Sequence, residues 1–193
     1  MSRVWWVAPA ALALVVGCSS AGAASTTSAT EPTAAATDSS FVLTSPTMQQ
    51  GGELPVEYTC DGASTTPPLA WTGAPDGTVG YAVAMHHVPG PGDTHWYWVV
   101  YDLDASVHQL DAGVAPAGSL GTNSVNGADE YAPPCSKGPG EKVYTFTVYA
   151  LSAQPALAGD TAVSRDVLLA AIEGSVLASA TLDVTYERAG STP

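Results

Sequence analysis

Near its C-terminal end the chain alternates strictly between two kinds of side chain. Ala180, Leu182, Val184 and Tyr186 are apolar, while Thr181, Asp183, Thr185 and Glu187 are polar. A period of two belongs to a strand with one face buried and one solvated, because successive side chains of extended backbone point to opposite faces. The same alternation sets Tyr144, Phe146, Val148 and Ala150 against Thr145, Thr147 and Tyr149, and a large/small version of it runs from Tyr81 to Met85. Trp96 to Val100 is instead a continuous aromatic and β-branched run, as expected of a strand covered on both faces. Trp96, Trp98 and Tyr101 therefore read as core rather than as a stripe for stacking sugars. Gly/Pro-dense segments, Pro89 to Asp93 and Pro133 to Gly140, read as loops. One helix is predicted. Ser164 is its N-cap, Asp166 lies in its first turn, Val167, Leu168, Ala171 and Ile172 form its apolar face, and Gly174 suits the left-handed position that ends it. The expected fold class is mainly β and mostly antiparallel, with one late helix.

The strand patterns begin only after residue 40. Before them, Arg3 is followed by an uncharged run from Val4 to Val16, too short to span a bilayer as a helix but suited to a signal-peptide core. It ends in Val15-Val16-Gly17-Cys18, which resembles a lipobox, so residues 1–17 are expected to be a lipoprotein signal peptide and Cys18 the lipidated residue. Residues 18–40 are almost wholly Ser, Ala, Thr and Gly, a composition that cannot offset its own ordering entropy and reads as a flexible tether. Residues 41–188 then form one domain, and 189–193 a disordered tail. The implied location is the cell membrane, on its extracytoplasmic face, with the membrane reached through the lipid anchor only.

Charge narrows the partners. Without Arg3, four basic residues face eighteen acidic ones, a net charge of −14. Phosphate neutralisation needs clustered Lys and Arg, so nucleic acid is excluded as a partner, and electrostatic adsorption to an anionic membrane is disfavoured. With Cys18 lipidated, Cys60 and Cys135 remain in a disulfide-permissive compartment and are expected to pair; the alternative is two buried free thiols. A bridge closing so long a loop contributes about 4 kcal/mol in the chain-entropy account.

Several segments resemble, in order, those of one known family. Tyr58-Thr59-Cys60-Asp61-Gly62 followed by Pro67-Pro68-Leu69-Ala70-Trp71 is similar to the YTCDG…PPLxW signature of the phosphatidylethanolamine-binding proteins, in their bacterial Raf-kinase-inhibitor-like branch. Trp98 to Leu103 resembles the family's HWVVYDL strand, Gly121-Thr122-Asn123 its G-x-N, Tyr131 to Cys135 its Y-x-GPC stretch, Tyr144 to Leu151 its YxFTVYAL strand, and Leu168 to Leu177 its late helix and exit. The resemblance implies a β-sandwich of two antiparallel sheets with a few peripheral helices, one near the C-terminus. It also implies a small surface pocket for an anion. At the pocket positions this chain differs: His86-His87-Val88-Pro89-Gly90 stands for DPDAP, Tyr97 for the His of HW, Lys142-Val143-Tyr144 for HRY, and Gly174 to Ala178 for GHVLA, while Pro134 and Cys135 match the GPC loop.

The resemblance thus brings His86, Tyr97, Pro134, Lys142 and Tyr144 to one ligand site. A cation, an imidazole and two phenols are donors suited to a phosphoryl, sulfate or carboxylate group. His86, His87 and His95 suggest a metal, but neighbouring strand residues face opposite ways, and there is no CxxC or HExxH pattern. No G-x-S-x-G elbow is present, so no enzyme is expected, and no cofactor. The expected function is extracytoplasmic binding of a small anionic or polar ligand. One alternative is a protein-interaction or secreted-protease-inhibitor module with a vestigial pocket and a partner in the cell envelope; another is a histidine metal site.

Overall fold

A computed structural model describes residues 40–136, 140–157, 159 and 162–188 of the chain. The expected signal segment, Cys18, nearly all of the tether and the C-terminal tail lie outside the described residues.

Among the described residues, nine strands and one α-helix follow in order: β1 (Val42–Thr44), β2 (Gly52–Glu53), a 3₁₀ turn (Val56–Tyr58), β3 (Leu69–Thr72), β4 (Gly80–Gly90), β5 (Asp93–Asp104), β6 (Gln109–Leu110), β7 (Ser119–Leu120), β8 (Lys142–Leu151), α1 (Arg165–Ile172) and β9 (Val176–Tyr186). Three of them make a small sheet ordered β1-β3-β6, and six make a large one ordered β2-β9-β8-β4-β5-β7. Every pairing is antiparallel except β2 with β9, which is parallel. The described fold is mainly β with one helix late in the chain, as the patterns predict, and it has two sheets, as the resemblance implies.

The alternating faces of β8 and β9 sort as the sequence requires. Tyr144, Phe146, Val148 and Ala150 with Ala180, Leu182, Val184 and Tyr186 join the main core, together with Trp71, Tyr81 and Trp98. The central strands are covered twice, because Ala82 and Val99 point the other way and pack with Leu151, Val163, Leu168 and Ile172 under α1. Trp98 is 1% exposed and its indole N–H has no hydrogen-bond partner. Burying an indole of 150–250 Å2 contributes about 4–6 kcal/mol, against about 1–3 kcal/mol for the orphaned donor, so burial wins.

Two local expectations change. The Pro89–Asp93 segment is a hairpin rather than an open loop: Gly90 pairs with Asp93, leaving Pro91 and Gly92 as the turn, with Gly92 at φ 82°. Ser164 does cap α1, its hydroxyl accepting from the Val167 N–H, but Gly174 has no positive φ. The helix instead ends by a tighter turn in which the Ser175 N–H donates to the Ile172 carbonyl at 2.8 Å.

β5 carries one residue more than β4 at two places. Tyr81 pairs with Leu103 but Val83 with Val100, and Asp102 takes the left-handed conformation (φ 57°) that this bulge requires. Met85 pairs with Trp98 but His86 with Trp96, so Tyr97 is the extra residue. The second bulge turns Tyr97 and Trp98 toward the same face, where both join the main core.

Candidate functional site

The bulged end of β5, the end of β4 and the start of β8 meet at a cavity of about 400 Å3. Its base is Tyr144, fully buried at the start of β8. The His87 ring lies 5.3 Å from that of Tyr144 at 36°, and the Tyr97 ring 5.3 Å away at 75°, edge to face. His87 Nδ1 is 2.8 Å from the Val143 carbonyl, which can only accept. Nδ1 therefore carries the hydrogen, and Nε2 is left for a second interaction. Lys142 stands two residues before Tyr144 on the same face of β8 and donates from Nζ to Ser136 Oγ at 2.6 Å. His95, Ser124, Val125, Pro133, Cys135 and Ser136 complete the wall.

The Tyr144 hydroxyl is buried and makes no well-aligned hydrogen bond; the Tyr97 phenol is its polar neighbour. Burial and, secondarily, the neighbouring Tyr97 phenol hold its pKa well above the phenol range; burial also raises that of Tyr97. Both phenols therefore stay protonated and able to donate. A cavity holding an ammonium, two phenol donors and an imidazole is built to receive acceptor oxygens. A larger depression, of about 600 Å3, is lined by Glu53, Asp61 and Glu187, whose carboxylates repel an anion.

Tyr97, Lys142 and Tyr144, the residues the resemblance points to, share this cavity. His86 does not line it. With Met85 in the core, alternation places His86 on the opposite face of β4, level with Thr145, and His87 on the cavity side. Pro134 is buried behind the wall, its carbonyl accepting the Cys60 N–H at 3.1 Å, and its neighbour Pro133 faces the cavity. Of the three histidines that suggest a metal, His86 lies on the face opposite the other two, and His87 pairs with His95 across the hairpin. His95 Nε2 lies 3.4 Å from Asp93 Oδ2, and among the described residues no three His, Cys, Asp or Glu side chains are grouped to hold a metal. Two cavity residues escaped the sequence reading as ligand groups. His87 was legible, being two positions beyond Met85, whereas Ser136 carried no pattern. Cys60 and Cys135 are joined by a disulfide, their Cα atoms 5.2 Å apart.

Comparison with known proteins places this geometry among relatives. A model of the family described as phosphatidylethanolamine-binding protein matches residues 44–187. A UPF0098 protein of Methanothermobacter thermautotrophicus is 32% identical over 142 residues, 71% of this chain and 92% of the relative. The crystal structure of a phosphatidylethanolamine-binding protein homologue from Chlamydia trachomatis superposes with a TM-score of 0.69 at 29% identity, covering 77% of this chain and 97% of that one. YbcL of E. coli, described as a member of the mammalian family, gives 0.69 at 27% identity over 77% and 98% of the two chains.

Proposed function

The chain belongs to the phosphatidylethanolamine-binding protein family, and we propose that it acts outside the cell, held at the membrane by a lipid on Cys18, as a binding protein for a small anion of the phosphoryl or carboxylate class. It binds without chemical conversion. The observation that carries this reading is the buried Tyr144 hydroxyl, which makes no well-aligned hydrogen bond, at the base of a cavity that also holds Tyr97 and the Lys142 ammonium. A buried donor left unmatched costs about 1–3 kcal/mol, and an acceptor oxygen reaching the base of the cavity recovers that cost. In this arrangement Lys142 supplies a point charge, and Tyr97 and Tyr144 supply neutral donors.

Thermal unfolding of the full chain in detergent, with and without inorganic phosphate, tests the reading. Phosphate at 100 times its dissociation constant stabilises by about 2.7 kcal/mol, which for a domain of this size is a rise of roughly 5–10 °C. The rise is expected to disappear in Lys142→Ala. An unchanged transition with phosphate, sulfate and carboxylates alike would remove the reading. It would favour the interaction-module alternative, which the exposed Val125 at the cavity and the exposed Val88 and Val143 in the adjoining depression support.

A further inference from the structure

One half-cystine of the disulfide stands in the wall of the anion cavity. Cys135 lines it, and its partner Cys60 lies 75 positions earlier, in the turn after the 3₁₀ segment. Two more bonds join the same short segments. The Cys60 N–H donates to the Pro134 carbonyl at 3.1 Å, and the buried Tyr131 hydroxyl donates to the Tyr58 carbonyl at 2.6 Å. The turn is braced in its own right, because Asp61 accepts from the Tyr186 hydroxyl and pairs with Arg188 at 2.6 Å. The Arg188 guanidinium also reaches Cys135 Sγ at 3.6 Å. The wall then passes directly from Cys135 to Ser136, 3% exposed, whose hydroxyl accepts from Lys142 Nζ. A covalent tie therefore sits one residue from a group that aims the cavity's ammonium.

We infer that the Cys60–Cys135 disulfide is a positioning element of the anion site and that its reduction weakens ligand binding, so that the thiol–disulfide state regulates the cavity. This rests on the reading of the cavity as an anion site. The reductant is an external dithiol, which gives up two electrons and two protons and closes to its own disulfide. The Cys60–Cys135 bond breaks, and each sulfur takes one proton. The wall then keeps two hydrogen bonds to the turn but no fixed tie at Cys135. Ser136 gains freedom, and the ordering of Lys142 must be achieved at binding instead of in advance, which lowers affinity. Linkage makes the effect reciprocal: an anion that prefers the disulfide form protects it from reduction by the same factor.

The experiment measures phosphate affinity by calorimetry on the full chain in detergent, oxidised and then reduced with dithiothreitol, with circular dichroism recorded on both forms. A second measurement, on the unaltered chain, takes the disulfide's midpoint potential with and without saturating phosphate. The expected result is at least tenfold weaker affinity after reduction, with the strand spectrum retained, and a midpoint about 30 mV more negative in phosphate, the two-electron equivalent of tenfold. Equal affinity in the two forms, with an unmoved midpoint, overturns the inference and leaves the anion site standing. If reduction unfolds the domain, the disulfide acts on the fold and not on the aim of Lys142, and the inference is overturned. Failure of the oxidised chain to bind phosphate overturns both.

Discussion

Tyr144 serves two purposes that a single substitution separates. Its ring packs in the main core and its hydroxyl lies buried without a well-aligned hydrogen bond. Tyr144→Phe keeps the ring and removes the orphan, so in urea unfolding without anion the variant is expected to be about 1 kcal/mol more stable than the parent chain. Its phosphate affinity should fall about tenfold, the worth of one hydrogen bond to a charged acceptor. Loss of stability in the variant would mean that the hydroxyl is bonded within the fold. His86 allows a different prediction, because burial and then the Arg165 charge depress its pKa below the ordinary 6.5, against the opposing pull of Asp183. Between that lowered value and 6.5 the unfolded chain holds a proton that the folded chain does not. Stability is therefore complete above 6.5 and declines as pH falls through the window. Thermal midpoints measured from pH 7.5 downward should show this decline, and His86→Gln should flatten it. The Asp61 carboxyl, lowered by the Tyr186 hydrogen bond and by Arg188, makes its own loss only below the ordinary 3.8, so the two are separable along the pH axis.

At the scale of strands, the legible features were those that depend on a period. The faces of β8 and β9, the double burial of β5 and the capped start of α1 follow from alternation, from the continuous Trp96–Val100 run and from Ser164, and all are present. Parity along β4 also contained the cavity-facing imidazole: Tyr81, Val83 and Met85 are core, so His87 shares their side and His86 does not. Matching His86 to the family's first pocket position overrode that parity. The bulge at Tyr97 was not legible, because an extra residue breaks the period and its place depends on the neighbouring strand. Without the bulge, regular alternation would send Tyr97 to the face opposite Trp98 and out of the cavity. Ser136 was hidden for a related reason. It lies in an irregular segment held by the disulfide and by backbone bonds to distant residues, and its contact with Lys142 has no local signature.

Over the whole molecule, charge and the proposed attachment set the terms on which a ligand arrives. A net charge of −13 repels anions at long range, so capture depends on the short-range donors of the cavity and should improve as salt screens the surface. Attachment is tested by Cys18→Ala. Cell fractionation is expected to find the parent chain with the membranes and the variant released from them; an unchanged membrane fraction would remove the lipid on Cys18 from the account. The cavity, meanwhile, has no floor of its own, since Tyr97 and Tyr144 are also the top layer of the core. A descendant that gave up its ligand would still have to keep bulky rings at these two places or leave a void beneath them. Aromatic residues there thus testify to a sandwich that must stay filled. The lysine at 142 and the histidine at 87, which the core does not need, are the positions free to drift once binding ceases, and they are where a surviving or abandoned function would be read in the chain's kin.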